Sequence, residues 1–434
     1  MRVPLLKSIA LVTHTTSYGA GGFVEACRRA GATVVLASDR CHVLDRAWHW
    51  PADSLVIDFA DLDDAAATIA AANHGGAPIA AVLPVGGELP ARVAAAAARR
   101  LGLPANAPAA MAAAANKLLM RERLAAAEIP QPRFVAIACG TAPDAVAARV
   151  AGPGGVGFPC VVKPLMLSGS RGVMRADDPP SLAAATARLE RLLADPAVRR
   201  PDPEAAGRFL IESFIPGPEL ALEGLLTRGT LQVLALFDKP DPLDGPTFEE
   251  TIYVTPSRRP AADQHRIAEV VAAAARALGL ETGPVHAELR WSPADGPVLV
   301  ELAARPIGGL CARTLRFQDG FSFEDVVVRH TLGKGEIPPR LGAASGVMMI
   351  PTPAHIPSAL RAVDGIEAAR AIPGIDDVVI SVRIGETLVP LPEGASYTGF
   401  IFASAETPAD VERSLRDAHA KLRFTVAPLV PVAR

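Results

Sequence analysis

Cysteine is scarce and scattered. The five thiols, Cys27, Cys41, Cys139, Cys160 and Cys311, are odd in number and form no CxxC pair. That excludes a disulfide framework and a zinc site, and reads as reduced thiols in a cytoplasmic protein. No apolar run reaches the roughly 18 residues that a membrane span needs. The stretch Met1 to Thr16 holds only the short run Ile9 to Val12, so it reads as a first β-strand and not as a signal peptide. No charge of one sign dominates: 43 Lys and Arg stand against 46 Asp and Glu, a net charge of −3. Neither nucleic acid nor an acidic membrane is implied as a partner. What is left is globular protein, and 434 residues are too many for one core.

The first hundred residues alternate strand and helix signals. Strands are expected at Ser8 to Val12, Thr33 to Ala37 and Ile79 to Pro84, with helices at Gly21 to Ala30, Asp61 to Ala72 and Leu89 to Leu101. This βαβ rhythm predicts a parallel sheet with crossover helices, an α/β domain over residues 1–105. Its first strand-to-helix turn carries Tyr18-Gly19-Ala20-Gly21-Gly22, either a tight structural turn or a ligand contact. From 106 the texture changes. A helix with Asn116-Lys117 leads to the linker Ile129-Pro130-Gln131-Pro132, then to strands at Arg133 to Ala138, Cys160 to Lys163 and Arg208 to Glu212. The expected second domain spans 106–332, made of two α+β subdomains with a mobile lid over about 131–210. A third, small α+β domain is expected over 333–434, with strands near Val347 to Ile350, Asp377 to Ile384 and Thr398 to Ala403 and a closing helix from Pro408.

The most informative stretch is a hairpin. Val285-His286-Ala287-Glu288-Leu289-Arg290-Trp291 and Val298-Leu299-Val300-Glu301-Leu302-Ala303 flank a loop rich in Pro, Asp and Gly. A symmetric loop sets Trp291 opposite Val298 and Glu288 opposite Glu301, on one face. Opposed carboxylates repel unless a cation sits between them, and hard oxygen donors suit Mg²⁺ (or Mn²⁺). The competing reading is a solvated outer face. Arg305 follows on the Glu301 face, where a guanidinium can neutralise charge that builds up in phosphoryl transfer. Gly308-Gly309 then lets backbone approach a ligand ahead of a helix expected from Cys311. Arg313 and Arg316 are either substrate-carboxylate contacts or a solvated helix face.

Upstream, Val161-Val162-Lys163-Pro164 ends a strand in lysine, followed by Ser168-Gly169-Ser170-Arg171-Gly172. A lysine beside a flexible Gly/Ser loop can hold a triphosphate under a lid, although a surface hairpin has the same look. The lysine precedes the glycines, so this is no Walker loop. Between Glu212 and Glu219, the run Ser213-Phe214-Ile215-Pro216-Gly217-Pro218 offers backbone to an adenine edge and a carboxylate to a ribose; alone it is a bent strand pair. His14 and His286 read as structural or supporting, and Cys311 as a small buried hydrophobe.

In this order the segments resemble the ATP-grasp superfamily and, within it, the L-amino acid ligases, over nearly the whole chain. The resemblance implies ATP phosphates on Lys117 and Lys163 under the Ser168-Gly169-Ser170 loop, with adenine at Glu212 to Ile215 and ribose at Glu219. It implies magnesium, or manganese, on Glu288 and Glu301, and Arg305 and Lys163 as the catalytic pair. Phe248 to Pro256 looks like the family's substrate strand, with Glu250 near the amine and Tyr253 shaping specificity; Gly308, Gly309 and Arg313 complete the substrate site. Ala303 stands where many of these enzymes carry asparagine, which removes one oxygen from the metal shell. The expected function is a carboxylate–amine ligase working through an acyl phosphate with small-molecule substrates, with a homodimer as the default assembly. Two rivals are a carboxylase acting through carboxyphosphate and a non-catalytic ATP-binding subunit.

Overall fold

The computed structural model describes residues 7–15, 17, 19–39, 53–72 and 77–429. Tyr18 and Cys41, singled out above, lie outside them, as do Thr16 and residues 1–6. In the first domain the strands β1 (Lys7–Thr13), β2 (Ala32–Ser38), β3 (Asp53–Val56) and β4 (Ile79–Val85) form a parallel sheet in the order β3-β2-β1-β4. Side chains alternate across β1. Ile9 and Leu11 pack on Phe23, Val24 and Cys27 of the helix Ala20–Arg29. Ala10 and Val12 pack on Ala65, Ile69 and Val93 of the helices Leu62–Ala71 and Glu88–Arg100 on the other face. The βαβ rhythm is therefore what the chain folds into.

A four-stranded antiparallel sheet follows, built from β5 (Phe134–Ala138), β6 (Cys160–Pro164), β7 (Met174–Ala176) and β8 (Arg208–Ser213) in the order β5-β8-β6-β7. The helices Pro143–Ala151 and Pro179–Leu193 cover it through Val146, Val150, Leu182 and Leu189. Next come β9 (Glu219–Thr227), β10 (Thr230–Lys239), β11 (Ile252–Thr255), β12 (Thr282–Ser292), β13 (Gly296–Ala303) and β14 (Ala344–Ile350), then β15 (Ser358–Asp364), β16 (Ile375–Ile380), β17 (Thr387–Leu388), β18 (Gly399–Ala405) and β19 (Arg423–Pro428). Eight of them form one sheet, β13-β12-β9-β10-β11-β14-β18-β16; β17-β15-β19 form a small separate one. The large sheet crosses the boundary expected at 333, because β14 pairs antiparallel with β11, Tyr253 opposite Val347. Its interior is apolar on both faces. Phe237 and Phe400 are fully buried, each worth roughly 1.5–3 kcal/mol of transfer free energy.

The hairpin β12–β13 departs from the symmetric expectation. Its turn is tighter, Pro293-Ala294-Asp295, with Ser292 opposite Gly296, which adopts φ 79°. Only glycine takes that angle freely, and a three-residue loop needs it. Trp291 consequently faces Pro297, not Val298. A bulge then leaves Val300 unpaired and restores the pairing of Glu288 with Glu301. The carboxylates are opposed as expected, by a route the symmetric count did not contain.

Candidate active site

Asn116 accepts hydrogen bonds from the amides of Leu118 and Leu119, at 3.0 and 3.3 Å. This side-chain cap fixes the start of the helix Lys117–Ala126 and sets Lys117 in its first position. The Lys117 ammonium, 7 % exposed, donates to the Leu167 carbonyl at 2.9 Å and lies 3.3 Å from Glu301 Oε1. Leu167 and Ser170 both take positive φ, strained for residues other than glycine. This turns the Leu167 carbonyl inward, toward Lys117.

One helical turn on, Arg121 is fully buried. Its Nε donates to Glu212 Oε1 at 2.7 Å, and its Nη2 to Glu212 Oε2 at 3.3 Å and to the bulged Val300 carbonyl at 2.5 Å. Lys163, at the end of β6, approaches Glu212 Oε2 at 2.8 Å. Burial pushes the Glu212 carboxyl up, but Arg121 and Lys163 together outweigh it and hold the group at about 2. The Glu212 side chain is thus committed to two cations. The segment that follows it, Phe214 and Ile215, lines a cleft with Lys117, Lys163 and Ser168 to Ser170. The Phe214 ring lies between the Arg175 and Arg290 guanidinium groups, 4.5 and 4.8 Å from its centroid.

Across the cleft, Lys239 ends β10 and is almost wholly buried. Its ammonium meets Glu219 Oε1 at 2.7 Å, Glu288 Oε1 at 3.4 Å and the Glu250 carboxylate. Oxygens of these three glutamates lie within 4.8 Å of one another. Tyr253, also buried, donates its hydroxyl to Glu250 at 2.7 Å. Burial pushes Glu250 up, Lys239 opposes this, and the charges of Glu288 and Glu219 leave the carboxyl at about 7. Glu288 is held well below the ordinary range: Lys239 and His286 overcome its burial. Burial likewise opposes the charge on His286, whereas Glu223, in direct contact with its Nδ1, holds the imidazolium to about 9. His286 Nε2 lies 3.4 Å from Glu288.

Arg305 donates from Nε to Glu88 Oε1 at 2.9 Å, with Nη2 at 2.8 Å from the same oxygen. Glu88 opens a helix of the N-terminal domain, so the α/β domain supplies the counter-charge that orients this arginine. A second cleft adjoins the first, sharing Ser168, Gly169, Glu250, His286, Glu288 and Arg305. Gly308 and Gly309 line its wall, and a Cβ on Gly309 would meet the Phe400 ring at 3.0 Å. The loop above is closed: the Gly172 amide donates to the Pro392 carbonyl at 2.8 Å, and Arg188 pairs with Glu393 at 2.6 and 2.7 Å.

Arg313 stands apart from both clefts. It pairs with Asp377 at 3.0 Å and covers the Phe402 ring at 4.4 Å. Arg316 is exposed and lines neither cleft. The helix expected from Cys311 is a single 3₁₀ turn, Cys311–Thr314, and the chain turns extended at Leu315. A turn that short gives no array of free amides for an anion. Lys239, Arg121, Glu88 and Glu223 join the site without having been expected there from the sequence. A signal for Lys239 was present: Leu234-Ala235-Leu236-Phe237-Asp238-Lys239 ends an apolar run in lysine just as Val161-Val162-Lys163 does.

Comparison with known proteins fits this arrangement. Residues 156–314 match the model of the ATP-grasp domain, and 355–427 match that of the L-amino acid ligase C-terminal domain 2. The chain thus carries an ATP-grasp domain and an L-amino acid ligase C-terminal domain. The crystal structure of an L-amino acid ligase from Bacillus licheniformis superposes with a TM-score of 0.80 at 25% identity, covering 98% of this chain and 99% of that one. An uncharacterized protein, y4rH, of Sinorhizobium fredii is 27% identical over 76% of this chain, and a D-alanine–D-alanine ligase of Aromatoleum aromaticum is 31% identical over 42%. The matches span only 65% and 58% of those two relatives' own lengths. The ATP-grasp family uses ATP with Mg²⁺, and the donors of this chain fit that pair chemically. The buried ammonium groups of Lys117 and Lys163 and the paired carboxylates Glu288 and Glu301 line the same cleft, the combination a metal-bound triphosphate needs.

Proposed function

We propose that this ATP-grasp protein is a carboxylate–amine ligase, joining an amino acid to an amine through an acyl phosphate with release of ADP and phosphate. The observation that carries the reading is the shared wall between the two clefts. Lys117, Lys163 and Glu301 line the first cleft alone, while Glu288, Arg305 and Glu250 line both.

Bound Mg·ATP supplies the activated γ-phosphoryl group. Lys117 and Lys163 would hold its oxygens, and Glu288 and Glu301 would hold the metal. Phe214 and Ile215 border the adenine and Glu219 the ribose. A substrate carboxylate oxygen attacks the γ-phosphorus and ADP leaves; the amine nitrogen then attacks the acyl carbon, the carbon–oxygen bond breaks, and phosphate departs. Arg305, oriented by Glu88, neutralises the oxyanion in that second step. The closed loop Ser168 to Gly172 excludes water from an intermediate that water would destroy. Glu250 and Tyr253 are assigned to the amine side, and a carboxyl that burial raises above its ordinary range is the better base for the proton that the amine loses.

The test is ADP and phosphate release from purified protein with Mg·ATP, across amino acids singly and in pairs and with bicarbonate included. E301A runs alongside. Release that needs a particular pair, yields an amide by mass and vanishes in the variant is the expected result. Release that needs bicarbonate and no second amino acid would replace the ligase by a carboxylase.

A further inference from the structure

Every charged side chain that lines the second cleft is engaged, with one exception. His14 Nδ1 lies 3.3 Å from Asp39. Arg305 is held by Glu88, His286 by Glu223, Glu250 by Lys239 and Tyr253, and Glu288 by Lys239 and His286. Glu324, which lines the same cleft, makes no hydrogen bond and no ion pair among the described residues, although it is only 9 % exposed. The cation beside it is taken. Arg29 donates twice to the neighbouring Asp325, from Nε and Nη2, each at 2.9 Å.

A buried carboxylate without a partner is costly. Part of that cost is offset by position, because Glu324 sits in the first turn of the helix Phe323–Thr331, where a negative charge is favoured. The capping groups of that turn, however, are Ser322 and Asp325, which bond to each other's backbone. Glu324 plays no part in the cap. Its side chain lies against Gly22, where a Cβ would meet Oε1 at 3.1 Å; the missing side chain at residue 22 is what leaves it room at the cleft wall. Glu324 borders the second cleft and not the nucleotide cleft. The wall around it is apolar, formed by Phe23, Val85, Leu310 and Phe323. Apolar lining beside a carboxylate that no side chain pairs directly, Arg29 acting on it only at longer range, matches an aliphatic stem that carries a positive charge.

We propose that the second cleft takes a basic amino acid, whose side-chain ammonium or guanidinium pairs with Glu324. The ligase reading is needed only for calling that molecule a substrate.

The experiment measures binding and turnover separately. Binding of L-lysine and L-norleucine, and of L-arginine and L-citrulline, is measured by calorimetry on the full chain with Mg²⁺ and a non-hydrolysable ATP analogue, for wild type and E324Q. The expected result is that the basic member of a pair binds about tenfold tighter or more to wild type, and that the preference collapses in E324Q. Equal binding of basic and neutral members overturns the proposal. So does an equal loss for lysine and norleucine in E324Q, which would make Glu324 a partner of the α-ammonium. If E324Q does not fold, the wild-type preference and its weakening with added salt decide alone. A preference for the basic member with no ADP release from any pair sinks the ligase reading and keeps the cation site. ADP release without that preference does the reverse.

Discussion

Replacing Lys239 with methionine isolates the electrostatics of the carboxylate cluster. The ammonium serves three carboxylates, 2.7 Å from Glu219, 3.4 Å from Glu288 and in direct contact with Glu250. Without it, three carboxylates remain whose oxygens lie within 4.8 Å of one another. At that separation each ionised pair repels by about 3.5 kcal/mol for an effective dielectric constant of about 20. Removing one member of a buried ionic network costs roughly 3–5 kcal/mol, so the variant is expected to be destabilised by that order at pH 8. The deficit depends on pH, and its sign follows from linkage. In the variant the lowering effect of Lys239 on Glu250 and Glu288 is gone, so the folded state binds more protons than in wild type and gains stability as pH falls. Urea unfolding of wild type and K239M at pH 8, 7 and 5.5, with and without Mg²⁺, should show the deficit shrinking at low pH and shrinking again when the metal replaces the lost cation. A deficit of the same size at all three pH values, unmoved by Mg²⁺, would refute the account and leave Lys239 as a packing residue.

Two further outcomes are expected. E88Q removes the counter-charge that orients Arg305, and should lower kcat by about tenfold or more while the KM for ATP holds, with partial recovery in E88D; equal loss in both parameters would mean that Glu88 does not act through Arg305. The His286–Glu223 pair stabilises the fold through an imidazolium whose pKa rises from the ordinary 6.5 to about 9. Its contribution is complete below about 6.5 and is lost as pH rises through about 9. Measured against the neutral double variant H286Q/E223Q, the stability advantage of wild type should fade over that window, and an advantage that grows with pH contradicts the pairing.

Local pattern revealed some of this and topology hid the rest. The βαβ rhythm of the first domain, the lysine at the end of β6 and the opposed Glu288 and Glu301 were legible because each is written within a few neighbouring residues. The register at Trp291 was not, since the glycine at 296 shortens the turn and the bulge at Val300 repairs the pairing further on. Arg121, Glu88 and Lys239 were hidden for another reason. Glu88 lies 217 residues from Arg305 and Arg121 lies 91 from Glu212, while Lys239 gathers Glu250, Glu219 and Glu288 from 11, 20 and 49 residues away. Periodicity cannot announce a partner at that range. It says only that a lysine or an arginine ends an apolar segment, and such a residue is buried only when something distant answers its charge.

The eight-stranded sheet carries a practical consequence for anyone who would exchange modules between relatives. Strands β14, β18 and β16 complete a ladder begun by β9 to β13, so a cut near residue 333 ends no autonomous unit. It would strip the backbone of β11, from Ile252 to Thr255, and leave an apolar edge open to pairing with other chains. A chimera that changes the last hundred residues must therefore keep the register of Tyr253 against Val347, because the strand that carries Tyr253 is held from the side being replaced.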